Sequence, residues 1–322
     1  MGAGAKIDMK TLAAWIACTV TACIAVGQPA LWAKDAPPAA AAAKRAAERN
    51  LPSIKYDPKR PVTLHYGDLT VTIAGEKGSD AKTRIPVFTG RVRDRVVFTV
   101  RVEEAEFDNP KAAAEVMRLD LSTPVPQVVM TAFTFGAHCC TVTYIATVLA
   151  SGEWRVLDAA QLDGDGYRFV DIDNDGAKEM VSYDNTFLYA FASYADSNAP
   201  TRIAKLTGSD LNDVTMEPKY RAFLRRELQQ MEADAKKDPD LWQKNGFLGG
   251  WVAAKSLVGE VDDAWKRMLA AYDRDSDWPL EECTTGQELD QCPKDKVRQQ
   301  TFPEALKKLL EGNDYPLPKA AR

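Results

Sequence analysis

Histidine is nearly missing from this 322-residue chain, which holds only His65 and His138. Sites built from several imidazoles, and most Ser-His-Asp triads, are excluded on supply alone. Also absent are G-x-S-x-G, a phosphate-binding loop and a G-x-G-x-x-G after a strand, so three common catalytic frameworks drop out. A basic excess is lacking too. The 41 Lys and Arg stand against 46 Asp and Glu, a net charge of −5, and nucleic acid needs a basic footprint. The remainder, 45% hydrophobic and 27% charged, is ordinary for a folded soluble chain, so any special chemistry lies in local clusters.

The N-terminus reads as an export signal over residues 1–33. Lys6 and Lys10 precede an apolar run from Leu12 to Val26, and small residues around Gly27 and Ala33 offer cleavage points. The run is short and no second anchor follows, so it is not a membrane span. Val20-Thr21-Ala22-Cys23 offers a lipid anchor at Cys23 as an alternative, against which Ile24 to Ala33 stays largely apolar. Residues 34–50 are Ala-, Pro-, Lys- and Arg-rich and read as a linker. The protein is therefore expected in the periplasm or secreted.

Asp171-Ile-Asp173-Asn-Asp175-Gly176-Ala177-Lys178-Glu179 is the densest cluster, with four carboxylates in nine residues. Such charge repels itself unless a hard cation is held, and Ca²⁺ takes six to eight oxygen ligands in flexible geometry. Asp at loop positions 1, 3 and 5 and Gly at 6 start like an EF-hand. Position 12 is Ser182 rather than a bidentate Glu, and Tyr167–Val170 and Met180–Tyr183 flank the loop as strands, not helices. A hairpin turn holding no ion is the alternative.

The D-x-D-x-D-G-x-x-E pattern between strands resembles the calcium hairpin of FG-GAP/VCBS-type repeats. That resemblance implies side-chain ligands from Asp171, Asp173, Asp175 and Glu179 and a carbonyl ligand from Ala177, with Ca²⁺ in a structural role. Trp154 to Thr215 looks like one such unit, too little chain for a propeller. Gly136-Ala137-His138-Cys139-Cys140-Thr141 is a second unusual cluster. It resembles a G-A-H-C-C-T signature of uncharacterised bacterial secreted proteins that also carry a VCBS-type hairpin, and this implies no known reaction.

Outside Cys18 and Cys23, four cysteines remain, and an oxidising compartment favours pairing them. Cys283 and Cys292 bracket a polar loop and are expected to form a disulfide. Cys139 and Cys140 are left with each other, which requires a turn, because neighbours on a strand face opposite ways. Three readings of the cluster stand open. They are a structural turn, a transition-metal site of His138 with thiolates, and a Cys/His nucleophile that oxidised cysteines could not provide.

The fold class is α+β, an N-terminal antiparallel β domain (blade-like sheet or sandwich) over 51–215, then a small helical bundle over 216–322. β-branched runs separated by Gly- and Asp-rich turns support the first part. Tyr220, Phe223, Leu224, Leu228 and Met231 at helical spacing support the second, with further helices over Leu241–Val258 and Val261–Tyr272. Gly246, Gly249 and Gly250 are expected to kink or divide the second of these. Thr301-Phe302-Pro303-Glu304 is a capping box opening the last helix.

Asp163 and Asp165 read as a turn, Trp242, Trp251 and Trp265 as core rather than a sugar platform, and His65 as solvent-facing. These features together point to a non-enzymatic envelope protein with a structural calcium ion, binding an envelope protein or glycan. A secreted hydrolase using loop carboxylates, and a periplasmic inhibitor or adaptor acting through the helical domain, are the alternatives.

Overall fold

The computed structural model describes residues 51–319. The export signal, the linker, Cys18 and Cys23 lie outside them. The architecture is α+β, antiparallel sheets followed by helices.

Two hairpins built from alternating residues come first. β1 is Ser53–Lys55, β2 Val62–Tyr66, β3 Leu69–Lys77, β4 Arg84–Val92 and β5 Arg95–Arg101. Strands β2 to β5 form a four-stranded meander, in which Leu64, Val71, Ile73, Phe88, Phe98 and Val100 point to one buried face. His65 is exposed, paired opposite Thr70. A five-stranded sheet follows in the order β1-β6-β7-β8-β9, with β6 Lys111–Met117, β7 Gln127–Phe133, β8 Thr141–Val148 and β9 Trp154–Leu162.

The middle strands of that sheet are buried on both faces, and the alternation shows what lies on each. Val128, Met130 and Ala132 pack with the meander, together with Ala112, Ala114, Val116, Val142 and Ala146. Their neighbours Val129, Ile145 and Met117 pack the other way, against Met180 and Leu206. A near-continuous apolar run marks such a doubly covered strand, and full burial of each Val or Met contributes about 1.5–3 kcal/mol.

Met180 and Leu206 belong to a third sheet, a meander of β10 Arg168–Val170, β11 Glu179–Tyr183, β12 Thr201–Thr207 and β13 Asp210–Asp213. On its far face Val181 and Ile203 share a core with Phe223, Leu224, Phe247, Trp251, Trp265 and Leu306 of the helices. The order of layers is thus sheet, sheet, sheet, helices. Strand β9 pairs with β8, so the stretch from Trp154 to Thr215 divides between two sheets.

The helices are α1 Arg221–Lys237, α2 Asn245–Leu257, α3 Val261–Ala271 and α4 Phe302–Gly312. Residues 239–243 form a separate 3-10 turn, so α2 starts four residues later than its apolar pattern predicts. Nor do its glycines break it. They create a smooth stripe along which the 191–198 segment runs: a Cβ at Gly250 would stand 2.1 Å from the Asn198 carbonyl oxygen, and one at Gly246 2.4 Å from that of Asp196. Close approach of backbone, not a kink, is what these positions require. At the start of α4, Glu304 Oε2 accepts from the Thr301 backbone N–H at 2.8 Å and from its hydroxyl at 2.9 Å. Trp251 and Trp265 are buried in the helical core, and Trp242 stands edge-on to Trp251. A disulfide joins Cys283 to Cys292 beside the small hairpin of β14 Glu281–Cys283 and β15 Val297–Gln299.

Candidate metal centre and the adjoining His138 cluster

The Asp171–Glu179 loop connects β10 to β11 at the edge where the third sheet meets α1. Its carboxylates turn inward because backbone donors collect them. Asp171 Oδ2 accepts from Gly176 N at 3.3 Å, Asp173 Oδ1 from Asp175 N at 3.1 Å, and Asp175 Oδ1 from Ala177 N at 2.7 Å. Glu179 Oε2 accepts from Ile172 N at 2.8 Å, and Lys178 N reaches Arg118 O at 2.8 Å, tying the loop to the end of β6. Carboxylate oxygens of Asp171, Asp173 and Glu179 lie within 4.8 Å of one another.

Two lysines from outside the loop also face it. Lys205 Nζ donates to Asp175 Oδ2 at 2.7 Å and to Glu179 Oε1 at 3.3 Å, and Lys219 Nζ lies 3.0 Å from Asp173 Oδ2. Burial works against the Lys205 charge, but Asp175 and Glu179 hold its ammonium well above the ordinary lysine range. Lys219 is held above that range by its contact with Tyr220 and by Asp173. Tyr220 donates its hydroxyl to Glu179 Oε1 at 3.1 Å, and burial pushes its phenol up to about 12. Glu179 is fully buried. Four carboxylates and Lys178 give the loop a formal charge of −3, which Lys205 and Lys219 reduce to −1. One oxygen, Asp171 Oδ1, is buried without a hydrogen-bond partner, a costly condition for a carboxylate.

The donor set fits a hard divalent cation in charge and chemistry. Asp171, Asp173 and Glu179 converge, whereas Asp175 turns to Lys205 and the Ala177 amide. Ala177 is itself buried beneath the turn. Lys205 is the partner that sequence reading missed. It sits between apolar residues in β12, whose other charge is Arg202, and nothing in that local pattern names its partners.

A second cluster forms where the β7–β8 turn meets the β9–β10 turn. Cys139 and Cys140 are joined as a vicinal disulfide in the turn before β8. Gly136 permits that turn, since a Cβ there would stand 2.5 Å from the Cys139 carbonyl oxygen. His138 places Nδ1 3.1 Å from Asp163 Oδ1 and Nε2 2.7 Å from the Tyr189 hydroxyl, with its ring stacked 3.7 Å from that of Tyr194. Gly164 N donates to both His138 O, at 2.8 Å, and Asp163 Oδ1, at 3.0 Å. Asp163 is thus a partner of His138 as well as a turn residue. With Asp165, Tyr183 and Tyr194 it lines a cavity of about 740 Å³ that extends to Glu227 and Asp234 of α1.

The class so defined is an α+β protein in which a carboxylate-rich β-hairpin loop is braced between a sheet stack and a helical layer. A family model described as the sll0997 C-terminal domain matches residues 222–314, the helical part. The chain is 34% identical over 266 residues to the probable thylakoid lumen protein sll0997 of Synechocystis sp., covering 80% of this chain and 77% of that protein. It is 39% identical over 276 residues to the uncharacterized protein y4bJ of Sinorhizobium fredii, covering 85% of this chain but 43% of that relative. The chain belongs to the sll0997 family. It spans less than half of the y4bJ protein. No solved structure matches it. Among the described residues no helix is long and apolar enough to cross a membrane.

Proposed function

We propose that the chain is a non-enzymatic, extracytoplasmic envelope protein whose Asp171–Glu179 hairpin holds a structural Ca²⁺, and that it binds an envelope glycan. The observation that carries the calcium reading is Asp171 Oδ1, a buried carboxylate oxygen with no partner in a loop whose four carboxylates and Lys178 sum to −3. Asp171, Asp173 and Glu179 would supply side-chain oxygens, with Asp175 and the Ala177 carbonyl joining once Lys205 gives way. The ion supplies neutralisation rather than chemistry. Strand order β10-β11-β12-β13 is that of a four-stranded blade, in keeping with an FG-GAP/VCBS-type hairpin. A relative named as a thylakoid lumen protein and the sequence's export signal agree on a compartment outside the cytoplasm. Extracellular modules hold calcium with Kd of about 10⁻⁴–10⁻³ M, enough for a structural ion there.

The cavity beside Asp163 supports the glycan part. Tyr183 and Tyr194 offer aromatic faces, and Asn185, Gln230 and Asp234 offer hydrogen-bonding groups around them, the mixture that sugar faces and hydroxyls require. One observation favours the hydrolase alternative, the Asp163–His138–Tyr189 chain at the cavity. The group on Nε2 is a phenol, and the neighbouring thiols are joined, so no activated alcohol or thiolate completes it.

Calorimetric titration tests the calcium reading. One Ca²⁺ per chain is expected, with binding lost in Asp171→Asn and Glu179→Gln. No binding heat in the folded wild-type chain would overturn it. Thermal-shift screening of envelope glycans tests the second part, and a shift that survives Tyr183→Ala and Gln230→Ala would place binding elsewhere.

A further inference from the structure

The Cys139–Cys140 disulfide lies next to a carboxylate that has its own supporting donors. Sulfur atoms of both cysteines and an oxygen of Asp163 lie within 4.8 Å of one another. Asp163 is held by His138 Nδ1 and by Gly164 N, and His138 is fixed in turn by Tyr189 and by stacking on Tyr194. Cys140 N and O are tied to Thr134, at 2.9 Å to its hydroxyl and 2.8 Å from its amide. The backbone carrying the sulfurs is therefore anchored independently of the S–S bond. Two thiolates and a hydrogen-bonded carboxylate are a donor set for a tetrahedral metal ion with one open position, and the outer hydrogen bonds are of the kind that orient such ligands.

We propose that Cys139, Cys140 and Asp163 form a redox-gated site for Zn²⁺, absent while the sulfurs are joined and created when they are reduced. In the opening step a dithiol reductant gives two electrons and two protons to the disulfide. The Cys139–Cys140 bond breaks, two thiols form, and the reductant leaves as its own disulfide. Zn²⁺ then binds both sulfurs as thiolates and releases the two thiol protons. Asp163 supplies the third ligand, and the cavity it lines gives access to the fourth position. His138 is a positioning residue, acting through Asp163. The set is separate from the calcium loop: it is soft where that loop is all oxygen, so the two proposals stand or fall independently.

Co²⁺ is the probe, because thiolate ligation gives it a charge-transfer absorption that carboxylates do not. The full chain is reduced with a phosphine, which becomes its oxide with oxygen from water, and is titrated under anaerobic conditions. The expected result is one equivalent of Co²⁺ with a thiolate band, displaced by Zn²⁺, and no band in the oxidised protein. Cys283→Ser/Cys292→Ser should keep the band, and Cys139→Ser/Cys140→Ser should lose it while the far-UV spectrum stays that of the wild type. His138→Asn and Asp163→Asn should each weaken binding, the former by about 10–100-fold. A reduced wild-type chain with no band overturns the proposal, as does a band that survives Cys139→Ser/Cys140→Ser.

Discussion

Lys205→Met gives a direct reading of how the acidic loop is held together. The ammonium lies 2.7 Å from Asp175 and 3.3 Å from Glu179, whose side chain is fully buried. Methionine keeps the length and apolar stem of lysine and removes the charge. Glu179 then retains only the Ile172 amide and the Tyr220 hydroxyl. Removing one partner of a buried ion pair costs about 3–5 kcal/mol. The Lys205 side chain is 22% exposed, so water screens part of that, and about 2–3 kcal/mol is expected. For a unit of this size each kcal/mol moves the midpoint by about 2–4 °C, a fall of about 4–12 °C. The assay is thermal and urea unfolding by far-UV circular dichroism in EDTA, with Lys219→Met as control. Lys219 is 42% exposed, so its loss should cost no more than about 1 kcal/mol. In excess Ca²⁺ the Lys205→Met deficit should shrink, because the cation can take the oxygens the lysine vacates. A Lys205→Met chain as stable as wild type in EDTA, or no worse than Lys219→Met, would refute the reasoning.

Gly250→Ala should destabilise the helical layer by about 1–3 kcal/mol, since its methyl would meet the Asn198 backbone oxygen; the same exchange at Gly312, the last residue of α4 with open space around it, should be neutral or stabilise by up to about 1 kcal/mol in the same urea melts. Asp120 gives a pH signature. Burial raises its carboxyl, but the Gly208 amide and the Ser122 amide and hydroxyl more than offset this and hold it below the usual carboxylate range. A depressed folded value means that its contribution is complete above about pH 5 and fades as pH falls below about 4. Asp120→Asn should therefore flatten the stability profile on that acid limb, measured by urea midpoints from pH 6 to pH 3.

Legibility in the sequence followed locality. The acidic loop is written in nine adjacent residues, and the capping box at Thr301 in four, so both could be read without the fold. The counterions Lys205 and Lys219 arrive from other elements, and spacing along the chain says nothing of them. The three-sheet stack was half visible: Val128-Val129-Met130 is apolar on both faces, which a one-sided sheet does not need, but which sheet covers which face is a tertiary fact. Gly246, Gly249 and Gly250 were misleading because glycine lowers helix propensity whether it kinks a helix or admits a neighbour. Only the Asn198 carbonyl against α2 distinguishes the two. In sequence His138 has only Cys139 and Cys140 beside it as candidate partners, and the residues it does engage, Asp163, Tyr189 and Tyr194, come from two later turns.

The calcium-bound loop is the central claim, and a pair of melting curves tests it most directly. With Ca²⁺ at about 100 times its Kd, stabilisation of about 2.7 kcal/mol is expected, a rise of about 5–10 °C over the midpoint in EDTA. The rise should vanish in Asp171→Asn. Coincident midpoints with Ca²⁺ and with EDTA would contradict the account and leave Lys205 and Lys219 as the cations that hold the hairpin.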